Sequence, residues 1–135
     1  MGRNRWRHAA GITGVVIAGL ASRSPAAAML PDFILVYAGD TLWALMMFLM
    51  LGFAFPAART EALAAAALGI CFAVEFGQLI QVEWLERLRS SRAGALVLGR
   101  GFLATDLICY AAGVTLGVAG EWRFSSGRAR DRCRR

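Results

Sequence analysis

Three of the nine acidic residues in this 135-residue chain, Asp40, Glu75 and Asp106, fall inside otherwise apolar stretches. A carboxylate near a bilayer centre costs about 2.5–3.5 kcal/mol and less toward the interface, so it needs a partner or a polar cavity. Gln78 lies three residues after Glu75 and shares its helix face. Asp106, Tyr110, Gly113 and Gly117 follow steps of four, three and four, a second stripe on one helix face. Carboxylates in unlike surroundings can divide acid and base roles. Arginines beside them, such as Arg23, Arg89 and Arg92, can neutralise charge or grip a phosphate or carboxylate. A plainer alternative makes Asp40 and Asp106 helix N-caps, with Glu83 and Arg87 a surface pair. The single histidine, His8, leaves no set for a zinc site or a histidine-dependent triad, and no cofactor is implied.

The elements that must position these groups are apolar. Hydrophobic residues make up 58% of the chain and charged ones 18%, and the excess lies in long runs, as membrane spans require. The expectation is an all-α polytopic membrane protein, a bundle of four transmembrane helices over about 9–22, 40–56, 60–82 and 102–120. A short amphipathic interfacial segment carrying Trp84, Leu85 and Leu88 on one side separates the third helix from the fourth. Residues 1–8 form a basic N-terminus and 121–135 a basic tail. Residues 31–38 are too short to span and serve as a lead-in to a helix that starts at Asp40. Pro56 ends that helix, and Thr60 is a candidate N-cap for the next. The first run has a rival reading as a cleaved signal peptide, with a basic front and small residues at Ala26, Ala27 and Ala28. Gly69, Ala73 and Gly77 on the third helix, with Gly113 and Gly117 on the fourth, are candidates for close helix packing and leave a homo-oligomer open.

The net charge of +6 comes from 15 arginines and no lysine. Arg3, Arg5 and Arg7 crowd one terminus, and Arg128, Arg130, Arg132, Arg134 and Arg135 crowd the other. That arrangement suits anchors flanking an apolar body, with membrane lipids as partners rather than nucleic acid. An even number of spans puts both basic termini on the cytoplasmic side. Asp40, Glu75, Gln78, Asp106 and Arg23 then fall near one depth toward the outer face. Cys71 and Cys109 lie in apolar runs and Cys133 in the tail, which is no disulfide framework.

A set of short motifs resembles a bacterial family, domain of unknown function 2809, similar to the VanZ-like membrane proteins. The set comprises Gly19-Leu20-Ala21-Ser22-Arg23, Gly39-Asp40-Thr41-Leu42-Trp43-Ala44 and Val74-Glu75-Phe76-Gly77-Gln78-Leu79. It continues through Trp84-Leu85, Leu88-Arg89, Arg92 and Leu96-Val97-Leu98-Gly99-Arg100-Gly101-Phe102 to Asp106-Leu107, Tyr110 and Gly113. Two departures, Val82-Glu83 before Trp84 and Ile80 in place of an aromatic residue, affect the outer connection. The resemblance implies retention of the first helix and a location in the bacterial inner membrane. It also marks Asp40, Glu75, Gln78, Arg89, Arg92 and Asp106 as characteristic polar positions, and carries no assigned activity. Trp43 and Tyr110, with Arg23, complete the candidate polar layer.

Three functions compete. The first is a non-enzymatic cell-envelope module with an outer-leaflet polar site for a lipid-linked or amphiphilic ligand. The second is an intramembrane enzyme acting on a lipid-linked substrate through Asp40, Glu75 or Asp106, for which no nucleophile, metal set or phosphate-binding motif is visible. The third is a structural subunit whose polar layer only fixes helix packing.

Overall fold

The computed structural model describes residues 3–22, 24, 31–77, 79–80, 82–91, 94 and 103–133. Among them every regular element is helical: α1 (Arg5–Ala21), α2 (Asp32–Ala54), α3 (Thr60–Gly77), α4 (Glu83–Ser90) and α5 (Ala104–Cys133). Central α2 packs against α1, α3 and α5, and α3 also packs against α5. Two helices hold stretches long and apolar enough to cross a membrane, Tyr37–Ala54 in α2 and Thr60–Gly77 in α3. Among the described residues the fold is thus all-α, and two of the four expected spans are helices of that length and apolarity. With 17 residues α1 is short, and the apolar part of α5 is bracketed by Asp106 and Glu121.

Local chemistry sets the helix ends. Asn4 caps α1, its side-chain oxygen accepting the Trp6 N–H at 3.0 Å. Pro31 stands at the N-cap of α2, which starts at Asp32. Asp40 is therefore inside α2 rather than at its start, and residues 32–38 are helical. A glycine such as Gly39 costs a helix only about 1 kcal/mol, too little to break one packed on three neighbours. The Leu79 N–H to Phe76 and Ile80 N–H to Gly77 bonds, each 3.1 Å, close α3 at Gly77 instead of residue 82. No proline follows Glu121, and α5 continues past residue 120 to Cys133.

The core is small. Ala44 and Phe48 of α2 meet Leu63, Ala67 and Cys71 of α3 and Tyr110 and Val114 of α5. The buried stripe of α3 advances by fours through Leu63, Ala67, Cys71 and Glu75. Gly69 and Ala73 face away from it, and nothing lies where a side chain at Gly69 or Gly77 would begin. Close approach is supplied from α5 instead, where Gly113 lies against Thr41 and Ala44 and Gly117 against the Phe48 ring. Large apolar side chains point outward on every long helix, among them Ile17, Leu20, Met50, Ile70, Ile108 and Leu116.

Candidate functional site

Buried polar chemistry gathers at two levels of the bundle. The first surrounds Glu75, whose side chain is fully buried two turns beyond Ala67 on α3. Tyr110 donates its hydroxyl to Glu75 Oε2 at 3.0 Å, and the Leu103 N–H donates to Oε1 at 2.8 Å. The carboxylate thus ties α3 to the first turns of α5 and takes up an N–H that the helix start leaves without an internal partner. Asp106, one turn before Tyr110, lies within electrostatic reach of Glu75. Asp40 reaches Tyr110 and Cys109 in the same way. Asp40 and Asp106 are each half-buried.

Of the residues expected to form a polar layer, Asp40, Glu75, Asp106 and Tyr110 are brought to one level by α2, α3 and α5. Trp43 is half-buried on the core's edge. Arg23, Gln78 and Arg92, and the side chain of Arg89, lie outside the described residues. Asp106 sits within the first turn of α5, with its N–H bonded to the Leu103 carbonyl at 2.9 Å, so it is not the capping residue. Among the described residues no group of three histidines, cysteines or carboxylates is arranged to hold a metal ion.

Replacing Tyr110 by Phe leaves Glu75 Oε2 without its donor in a site closed to water. The variant is expected to lose about 1–3 kcal/mol, the usual cost of a buried group stripped of its hydrogen bond. Thermal unfolding of the purified protein in nanodiscs would read this, and an unchanged transition would show that another group replaces the hydroxyl.

The second level went unrecognised in the sequence. Arg3 donates its backbone N–H to the Pro56 carbonyl at 2.9 Å. Its guanidinium reaches the Ala58 carbonyl, Thr60 Oγ1 at 2.8 Å and both carboxylate oxygens of Glu121. Thr60 in turn donates its hydroxyl to Glu121 Oε2 at 2.8 Å, so that hydroxyl serves the carboxylate rather than capping α3. His8 is 7% exposed and lies against Gly52, where a methyl group would come within 2.6 Å of the ring. Its Nδ1 faces the Asn4 carbonyl and its Nε2 faces Glu121 Oε1, both at 3.2 Å. Both partners are oxygen acceptors, so the tautomer decides which of the two the ring donates to. Burial alone would raise the Glu121 carboxyl, but the Arg3 and Thr60 hydrogen bonds and the charges of Arg3 and His8 outweigh it and hold it below the ordinary glutamate value.

Thr60 and Glu75 are about 22 Å apart along α3 at 1.5 Å per residue, so the two levels sit near opposite ends of the bundle. The family model for "Protein of unknown function (DUF2809)" matches residues 29–114, well over half the chain and all of the Glu75 level. The chain belongs to this family. Arg3, His8 and Glu121 lie outside the matched stretch and are features of this DUF2809 protein read from its own geometry. No solved structure matches it.

Proposed function

We propose that this DUF2809 protein is a four-span module of the bacterial inner membrane, both termini cytoplasmic, that holds an amphiphile's head group at the Glu75 level without catalysing a reaction. The observation that carries the reading is the convergence of carboxylates from three helices, Glu75 fully buried and Asp40 and Asp106 half-buried. Apolar side chains on the outer faces of α1, α2, α3 and α5 support insertion of all four long helices, since such a surface suits lipid better than water. In this reading α1 is a short span completed by Trp6 at its interface. The amphipathic α4 lies in the membrane surface beyond α3, with Trp84 and Leu88 outward and Glu83 paired to Arg87 at 2.9 Å. Glu75 is the positioning residue, and Asp40 and Asp106 face the ligand, with Arg23, Gln78, Arg89 and Arg92 as further contributors from the sequence. The cell-envelope setting is part of this proposal and rests on the resemblance of the sequence motifs to VanZ-like membrane proteins.

The experiment is lipid retention by native mass spectrometry of protein extracted from its own membrane. Asp40→Asn and Asp106→Asn should each release a co-purifying amphiphile that the parent retains. Equal lipid profiles in folded parent and variants would overturn the reading. Glu75 itself favours a second reading, a structural subunit, because both of its oxygens are already satisfied from within. That outcome leaves Asp40 and Asp106 variants unchanged in lipid content while Glu75 variants lose stability.

A further inference from the structure

We infer that this chain is fitted to a thin bilayer, with a hydrocarbon core of about 24 Å rather than the common ~30 Å, a step that rests on the membrane reading above. The depths at which exposed aromatic side chains emerge carry it. Contacts of Arg3 with Pro56, Ala58, Thr60 and Glu121 bring the start of α1, the α2–α3 turn and the Glu121 turn of α5 to one level. Trp6, Phe55 and Trp122, each more than half exposed, emerge at that level from three different elements. Tyr37, about one turn before Asp40, and Phe76, beside Glu75, emerge at the opposite level, and Trp84 follows on α4. Between the two levels the large exposed side chains are aliphatic or methionine, among them Ile17, Met50, Ile70, Ile108 and Leu116.

Aromatic side chains, Trp and Tyr above all, settle at head-group depth, and aliphatic ones in the hydrocarbon between. The two aromatic levels therefore mark the two boundaries of the core. Thr60 and Phe76 stand about 24 Å apart along α3 at 1.5 Å per residue. With 17 residues, α1 is as short. The buried carboxylates leave no slack, because Glu75 and Glu121 sit close to the two boundaries and cannot be drawn deeper without cost. Tilting shortens a span further and offers no relief. A thicker core must instead thin around the protein, at a cost that grows with the mismatch.

The test uses the full chain in nanodiscs of phosphatidylcholines whose monounsaturated chains lengthen stepwise from myristoleoyl to erucoyl, and reads thermal unfolding. The fit requires the highest transition in the shortest chains and a fall of several degrees toward the longest. Equal transitions across the series, or a maximum at the longest chains, overturn it. Tryptophan quenching by lipids brominated near the head group or near the chain end keeps this outcome apart from the membrane reading. Shallow bromines should quench more strongly than deep ones, and the Trp6→Phe/Trp122→Phe variant should lower that excess. Stronger quenching by deep bromines, or an excess the variant keeps in full, overturns the fit while leaving insertion standing. No quenching at either depth, as a partner protein covering the aromatic side chains would give, overturns the membrane reading and the fit with it.

Discussion

Replacing Glu121 by Ala should be among the most damaging single changes in this protein, lowering stability by about 3–5 kcal/mol, as breaking one side of a buried ion pair does. Arg3 and Glu121 have side chains only 13% exposed, and His8 only 9%. Without the carboxylate, Arg3 keeps the Ala58 carbonyl and Thr60 as partners, but its guanidinium charge is left largely buried without an anion and His8 Nε2 loses the oxygen it faces. Glu121→Gln should fall between, since one amide oxygen can accept from Arg3 while the NH2 group meets another donor. The pairing is checked by a double-mutant cycle. Arg3→Ala and Glu121→Ala measured together should cost clearly less than their sum, because each alone strands the other. Additive losses in thermal unfolding would mean that the two residues act separately.

The same cluster sets a pH dependence whose sign follows from the depressed Glu121 carboxyl. A carboxyl that is more acidic folded than unfolded contributes its full stability above the ordinary glutamate range. The contribution falls as pH drops through that range and is gone below the folded value. Acid should therefore loosen the α1–α5 end in the parent. In Glu121→Gln that part of the acid sensitivity should be missing, a difference that unfolding curves from neutral to acidic pH would resolve.

The helical class and most element positions were legible because apolar runs, Pro31 and Pro56 act locally. The level shared by Asp40, Glu75, Asp106 and Tyr110 was legible too, since counting along antiparallel helices fixes relative height. Three things were not. Asp40 read as a helix start because Gly39-Asp40 interrupts an apolar run, yet packing on three neighbours outweighs the small propensity cost. Gly69, Ala73 and Gly77 form a small-residue seam, but which face of α3 is buried depends on its partners, and the larger Leu63, Cys71 and Glu75 fill the space beside α2 and α5. The Arg3–Glu121 pair spans 118 residues, with no local signal at either end. One clue was present: the even number of spans expected from the sequence would put residues 3 and 121 on the same side, where the arginine and the carboxylate can meet.

Gly113→Val should separate α5 from α2 and cost at least as much as a typical overpacked core substitution, about 1–3 kcal/mol, because the obstacle is backbone. A Cβ built at Gly113 overlaps the Thr41 carbonyl oxygen and comes within 3.0 Å of the Ala44 methyl and 3.1 Å of the Leu45 nitrogen. A flexible side chain could swing away, but the α2 backbone here is held in its own helix and moves only if α2 and α5 part. Gly117→Ala offers the contrast, since its Cβ meets the buried Phe48 ring, a side chain rather than backbone, and the added group is a single methyl. Gly69→Ala is the control, with nothing within 4 Å of the added methyl. It should match the parent or gain slightly from alanine's better helix propensity. The expected order of thermal stability is therefore Gly69→Ala highest, then Gly117→Ala, then Gly113→Val. Parting α2 from α5 would also carry Asp40 away from Tyr110, so Gly113→Val should disturb the Glu75 level although it touches none of its carboxylates. If Gly113→Val unfolds like Gly69→Ala, α5 does not lie on α2 through its glycines, and the convergence of Asp40, Glu75 and Asp106 fails with it.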